Sequence, residues 1–325
     1  MSYQRAEHVL PPEVLALVQK YAEGCLLYVP KRENERNTWG TINGTKAYYA
    51  SRNAAICAEA RNGTPVSELA ERYFLTTKSI QRILRKGERN MRSDNYKEYF
   101  TSEYLMGPCS LRILDELLET CPLPCTAESK ILDLGCGTGI TSLFLAKETG
   151  AEVTGLDLWI SAEANAKRAE QWGVKDRFLP VHGDANAMPF APETFDAVVS
   201  VDAYHYFGTP EDFFGEKILP VIKEGGAVLI GIPGIRNEFD GRSSELMADW
   251  LGDEAYMFQS AESWKKIIGS HPDIAEVKTW ELACFDQAWQ DWFDTKHEYA
   301  MGDLALFDSI IKPYSCFVGI WVKKK

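Results

Sequence analysis

The chain has 325 residues, a formal net charge of −12, 45% hydrophobic and 25% charged residues, which is ordinary globular composition with room for about two domains. No apolar run approaches the roughly 18 residues of a membrane helix, and the N-terminus lacks the apolar core and small-residue cleavage site of a secretory signal, so a cytoplasmic location is expected. The charge is uneven: residues 1–95 carry 15 Lys+Arg against 10 Asp+Glu, and the remainder 20 against 37. A mildly basic head on a strongly acidic body suggests two functions, the head near a polyanion and the body repelled by one.

Eight cysteines are scattered along the chain. The tightest spacing, Cys121 to Cys125, has no second Cys/His pair to complete a tetrahedral site. Free thiols in a reducing compartment are expected, and no metal.

In chain order, Pro11-Pro12 opens an amphipathic helix over residues 13–22, with Val14, Leu15, Leu17, Val18 and Tyr21 at helical spacing. Residues 26–29 read as a short strand stopped by Pro30, and residues 47–61 as a helix ended by Asn62-Gly63. Residues 64–86 read as a helix-turn-helix. Leu69, Ala70 and Tyr73 face Leu75, Ile80, Ile83 and Leu84, which leaves Thr77, Lys78, Gln81, Arg82 and Arg85 outward. A glycine usually holds the turn position taken here by Phe74. Residues 93–128 form a helical connector with Leu111, Leu114, Leu117 and Leu118 on one face.

From Lys130 onward short β-rich runs alternate with helices, the pattern of a parallel sheet with crossover helices. Strands are expected over residues 130–134, 152–156, 178–182, 197–201, 227–232 and 316–322. Thr209-Pro210-Glu211-Asp212 has the composition of a helix start, as does Ser260 followed by Glu262, with Gly269 closing the latter helix.

The first of these strands runs into Asp133-Leu134-Gly135-Cys136-Gly137-Thr138-Gly139, and a helix over residues 141–147 follows at once. Glycines let the backbone approach a ligand at positive φ, and the helix start offers free N–H groups. A dinucleotide fingerprint needs its third glycine at position 140, which is Ile140. Asp133 suits a cationic amine and would repel a pyrophosphate, so S-adenosylmethionine fits this turn better than NAD. A second acid, Asp157, ends the second strand and can accept from both ribose hydroxyls, with Leu158 and Trp159 beside the adenine. Asp184, after the third strand, can accept from the adenine amino group while Ala185 offers its N–H.

These residues resemble the class I S-adenosylmethionine-dependent methyltransferase family over about residues 96–325. The resemblance implies an α/β fold: a Rossmann-like seven-stranded sheet with helices on both faces and a final antiparallel strand. Matched position by position, Asp133, Gly135, Cys136, Gly137, Thr138 and Gly139 form the first motif, Asp157 the second and Asp184 the third. Residues 195–207 resemble the fourth strand and its loop, which in that family lies beside the methionine end and the acceptor; Val201 is expected there. The sequence most resembles the small-molecule subgroup that includes the sarcosine/glycine-type and cyclopropane-fatty-acid-type enzymes.

On the acceptor side, Asn/Asp-Pro-Pro-Tyr and Pro-Cys signatures of DNA methylation are absent, and an acidic body disfavours nucleic acid. A small-molecule acceptor is expected. Asp202, Tyr204 and His205 follow the fourth strand as catalytic candidates, His205 as general base where the acceptor must lose a proton; packing below the cofactor is its ordinary alternative. Two aromatic-rich segments, residues 233–259 and 280–299, suit either a lid or a helical cover.

The head, with Tyr28-Val29-Pro30-Lys31 and Trp39-Gly40, resembles the Mor transcription-activator family over about residues 11–90. That implies duplex-DNA binding, here through Lys78, Gln81, Arg82 and Arg85, and a homodimer. The expected division is thus a small, mostly α helix-turn-helix domain over residues 1–92 and a methyltransferase domain over 93–325. A regulator whose body only senses S-adenosylmethionine is the alternative to an enzyme.

Overall fold

The computed structural model describes residues 64–87, 91–123, 125–236, 243–269 and 271–325, with isolated positions between residues 14 and 60. Two compact units divide the chain, residues 1–89 and residues 90–325. Among the described residues, no helix is long and apolar enough to cross a membrane. The strand expected over residues 26–29, Trp39-Gly40 and most of the two preceding helical stretches lie outside the described residues; Val14, Leu15, Val18 and Lys20, then Arg52, Asn53, Ile56, Glu59 and Ala60, are helical.

In the head, α1 (Val66–Arg72) and α2 (Thr77–Gly87) bury Leu69, Ala70 and Ile80 against Ile56. The turn between them explains the missing glycine. Leu75 N–H donates to Ala70 C=O at 2.9 Å and Phe74 N–H to Glu71 C=O at 3.3 Å, the paired bonds of a Schellman motif. The residue at its left-handed position is Phe74, with φ 52°, and its ring is almost wholly exposed. Thr77, Lys78, Gln81 and Arg82 face solvent; the side chain of Arg85 lies outside the described residues.

The body begins with a 3-10 segment, Arg92–Tyr99, and α3 (Ser110–Thr120). Then come β1 (Lys130–Leu134), α4 (Ile140–Thr149), β2 (Glu152–Asp157), α5 (Ala162–Gln171), β3 (Phe178–His182), β4 (Phe195–Val201) and β5 (Ile222–Ile235). After α6 (Ala261–Gly269) follow β6 (Ile274–Glu281), α7 (Phe285–Asp294), α8 (Glu298–Leu306) and β7 (Ser315–Lys324). The seven strands run in the order β3-β2-β1-β4-β5-β7-β6, with β7 antiparallel to both neighbours. This is the Rossmann-like methyltransferase sheet, its central strands buried on both faces as Val- and Ile-rich runs.

Two features differ from the sequence expectation and a third agrees with it. The edge strand β6 was not expected, because Glu276, Lys278 and Glu281 break its apolar pattern; on an edge, charged side chains face water and deter further pairing. Thr209 caps no helix: the chain turns through residues 210–212 and then enters a π-helical turn, Phe214–Ile218. Ser260 does cap α6, its hydroxyl accepting from Ser263 N–H at 3.2 Å.

Helix α3 ties the N-terminal segment of the body to its C-terminal helices through buried charge. The Arg112 guanidinium donates to Asp291 at 2.6 Å and Asp94 at 2.8 Å, and Asp115 accepts from Arg92 and from Ser93 N–H, each at 2.8 Å. Glu116 accepts from the N–H groups of Ala283 and Cys284 at 2.8 and 2.7 Å, ahead of α7. Removing one partner of such a buried pair leaves the others unpaired in a dry environment. Arg112→Ala should therefore lower the free energy of unfolding by about 3–5 kcal/mol, read by urea titration; a loss under about 1 kcal/mol would show the cluster to be energetically idle.

Candidate active site

Strand order reverses around β1, whose neighbours are β2 on one side and β4 on the other. At such a switch point the loops beyond the carboxyl ends of the strands diverge and leave a crevice. The crevice here is bordered by residues 134–138 after β1, 156–159 after β2, 183–185 after β3 and 201–203 after β4. Of the expected cofactor residues, Gly135, Cys136, Gly137, Thr138, Asp157, Leu158, Trp159, Asp184, Ala185 and Val201 line it.

The loop after β1 takes its shape from backbone that only glycine adopts easily. Gly135, Gly137 and Gly139 have φ of 74°, 52° and 85°. A Cβ on Gly135 would collide with Ala203 of the β4 loop, so the two loops can meet only through glycine. Asp157 holds this loop. Its Oδ2 accepts from Gly137 N–H and its Oδ1 from the N–H groups of Trp159 and Ile160, all at 2.8 Å. Oδ2 keeps one lone pair for a ligand hydroxyl. Asn165 of α5 donates to Gly137 C=O at 2.9 Å, and Asp184 accepts from the N–H and side-chain amide of Asn186, whose hydrogen bonds hold its carboxyl below the usual range.

Two expected first-motif residues stand elsewhere. Gly139 caps α4 in the left-handed conformation and does not reach the cleft. Asp133 is buried beneath it: Oδ2 accepts from Thr141 at 2.7 Å and Ser142 at 2.6 Å, while Oδ1 has no partner. Burial pushes its carboxyl up to about 6. Asp133 thus braces the start of α4 and does not face a ligand amine directly.

The catalytic candidates separate as well. Asp202 lines the cleft at a left-handed φ of 54°, and its N–H donates to Gly231 C=O at 2.7 Å. Tyr204 points into the core among Phe207, Phe213 and Trp264, its hydroxyl unpartnered. His205 is 3% exposed, its ring tilted against Tyr206 and edge-on to Phe258, with Nδ1 unpartnered. Neither Tyr204 nor His205 borders the cleft. Burial lowers the imidazole to about 3, so His205 is neutral at pH 7 and too weak a base for the role expected of it. Alternation explains the reversal: a one-turn 3-10 helix, Tyr204–Tyr206, turns these two side chains inward and leaves Tyr206 at the cleft.

The remaining wall comes from a segment read from sequence only as a connector. Tyr104, Met106, Gly107, Pro108 and Ser110 border the cleft, and Thr138 Oγ1 donates to Tyr104 C=O at 2.6 Å. The signal was the Gly107-Pro108 break ahead of α3. The two aromatic segments contribute cover instead: Phe258, Trp289, Trp292 and Phe293 are buried, and Arg236 pairs with Glu281 at 3.0 Å. Phe239 and Arg242 lie outside the described residues. Cys109, Cys136 and Cys284 are free and buried, Cys316 is buried, and Cys121 and Cys125 are free and half-buried.

Among the described residues, no Lys, Arg or His lines the cleft, whereas three carboxylates do. A phosphate-rich dinucleotide finds no counter-charge here; a cationic sulfonium with an adenosine does. Sheet order and cleft together define the body as a class I methyltransferase domain, with S-adenosylmethionine as its cofactor.

Residues 131–226 match the family model described as Methyltransferase domain. Over 101 residues the chain is 40% identical to squalene methyltransferase 1 of Botryococcus braunii, a match covering 30% of this chain and 26% of that protein. Such matches span between 25% and 46% of the curated methyltransferases' own lengths. The structure of a SAM-dependent methyltransferase from Geobacter sulfurreducens, in complex with S-adenosyl-L-homocysteine, has the same fold, with a TM-score of 0.52 at 20% identity over 69% of this chain and 95% of that one. A further match, 33% identical over 84 residues, takes 26% of this chain and 97% of the Bacillus subtilis (strain 168) protein described as "Uncharacterized protein YraL". Over that segment the chain belongs to the YraL family.

The neutral state of His205 has a cost that pH exposes. In the unfolded chain an imidazole takes its proton near pH 6.5, in the fold only near 3, so this contribution is complete above 6.5 and lost as pH falls towards 3. Between pH 7 and pH 5 the parent should lose about 2 kcal/mol more unfolding free energy than His205→Phe. Parallel pH profiles in denaturant titrations would contradict this.

Proposed function

We propose that the body transfers a methyl group from S-adenosylmethionine to a small organic molecule, and that the head is a DNA-binding and dimerising module. The observation that carries the first part is the cleft at the strand ends, where Asp157 and Asp184 stand and, among the described residues, no cationic side chain does. In this reading Asp157 Oδ2 accepts from a ribose hydroxyl, Leu158 and Trp159 flank the adenine, and Asp184 with Ala185 meet its edge. Gly135, Cys136, Gly137 and Thr138 give the methionine end close backbone approach, and Val201 forms its apolar floor. When bound, the cofactor supplies an electrophilic methyl group on a sulfonium. The chain's own part is to hold that group in line with the acceptor and exclude water. A small acceptor is favoured over nucleic acid because the acidic body would repel a duplex's phosphates. Relatives named for squalene and tocopherol support an organic acceptor.

The residue division 1–92 and 93–325, and a cytoplasmic location, belong to the same reading. For the head, the support is the outward Lys78, Gln81 and Arg82 on the second helix of a helical hairpin. Those side-chain types read phosphates and base edges.

Asp157→Ala should weaken S-adenosylmethionine binding by about 2–4 kcal/mol, a 30- to 1000-fold loss by calorimetry. Unchanged affinity would remove the cleft from cofactor binding. Full-length protein should bind duplex DNA with an affinity that falls steeply as salt rises, and Lys78→Ala with Arg82→Ala should weaken it further. Absence of binding at low salt would make the head a protein-interaction module.

A further inference from the structure

Three carboxylates border the cleft, and the chain answers two of them. Asp157 is held by three backbone N–H groups and Asp184 by both amides of Asn186. Asp202 accepts no hydrogen bond from any described residue, although its backbone is held in the left-handed region. Its Oδ2 lies against Gly107, where an added Cβ would approach to 2.8 Å, so glycine there leaves space for the carboxylate.

A second carboxylate adds to the field. Asp303 of α8 accepts from the indole N–H groups of Trp250 at 3.0 Å and Trp292 at 3.2 Å. Burial above all, with the Asp303 charge adding to it, raises the Asp202 carboxyl to about 7. Two aromatic rings border the same cleft, Trp159 and Tyr206, with centroids 5.4 Å apart. Carboxylates beside aromatic faces are the surroundings in which a cationic nitrogen is most stable. A carboxylate or phosphate acceptor would be repelled here.

We propose that the acceptor is an amine, bound as its ammonium ion by Asp202, with Asp303 strengthening the field and Trp159 and Tyr206 lining its apolar part. The proposal rests on the methyltransferase reading above and narrows it to nitrogen. The proton that the ammonium must shed before its nitrogen can act as a nucleophile passes to the Asp202 carboxylate, and from there to water. Asp202 is thereby the specificity-determining group, and Asp303 a positioning residue acting through it.

Calorimetry on the full chain saturated with S-adenosylhomocysteine tests this with phenethylamine, phenethyl alcohol and hydrocinnamate, which share a ring and differ in charge. Phenethylamine should bind at least about tenfold more tightly than the other two. Asp202→Asn, a change that left-handed backbone tolerates, should abolish the preference while S-adenosylhomocysteine affinity stays within about threefold. Asp303→Asn should weaken amine binding by about threefold and serves as the check if the first variant folds poorly. Equal or tighter binding of the alcohol or carboxylate, no amine binding, an unchanged preference in Asp202→Asn, or an equal loss of S-adenosylhomocysteine by that variant would each overturn the proposal. Failure of the parent to bind S-adenosylhomocysteine would instead overturn the methyltransferase reading itself.

Discussion

The carboxylate of Asp157 is the interaction on which the cleft depends. It sits at the end of β2 and gathers N–H groups from two different loops, Gly137 after β1 and Trp159 with Ile160 after its own strand. Charge-assisted bonds of this kind are short and about twice as strong as neutral ones, so a single side chain fixes both loops at once. With Gly137 held, the left-handed backbone of Gly135 and Gly139 follows, and α4 starts where its free N–H groups face the crevice. Asp133 completes the arrangement from below by binding the hydroxyls of Thr141 and Ser142. One acid shapes the loop and another anchors the helix behind it.

Around this centre buried charge ties distant segments of the body together. Helix α3 reaches back to residues 92–94 and forward to residues 283–291 through Arg112, Asp115 and Glu116. These ties set where the intervening segment, residues 104–110, crosses the mouth of the cleft, and Thr138 fixes it there through Tyr104. The wall facing the acceptor is therefore positioned by ion pairs remote from it.

What the sequence made legible follows from how local each signal is. The glycine loop, Asp157 and Asp184 were readable because each sits at a fixed offset from a strand end, and the strand itself has a strong apolar pattern. Strands β1 and β3 fall on their expected residues. Side-chain direction after β4 was not readable. A single 3-10 turn sends Tyr204 and His205 into the core and Asp202 into the cleft, and nothing in residue type foretells that. Asp133 misled for a related reason: an acid two residues ahead of the loop suits a cationic ligand, yet its direction on β1 commits it to hydroxyls that arrive from α4. The edge strand β6 and the contribution of Met106 and Gly107 depend on tertiary contact alone. In the head, the expected break at Phe74 proved compatible with the turn, because a Schellman motif needs a left-handed residue and accepts a bulky one when its ring is exposed.

The central claim is that the crevice organised by Asp157 is where S-adenosylmethionine binds. Hydrogen exchange on the full chain, with and without S-adenosylhomocysteine, tests it most directly. The account predicts slower exchange at the amides of residues 135–138, 158–160 and 185, with the edge strand β6 unchanged. Unaltered exchange at those amides, or protection confined to other parts of the body, would contradict it.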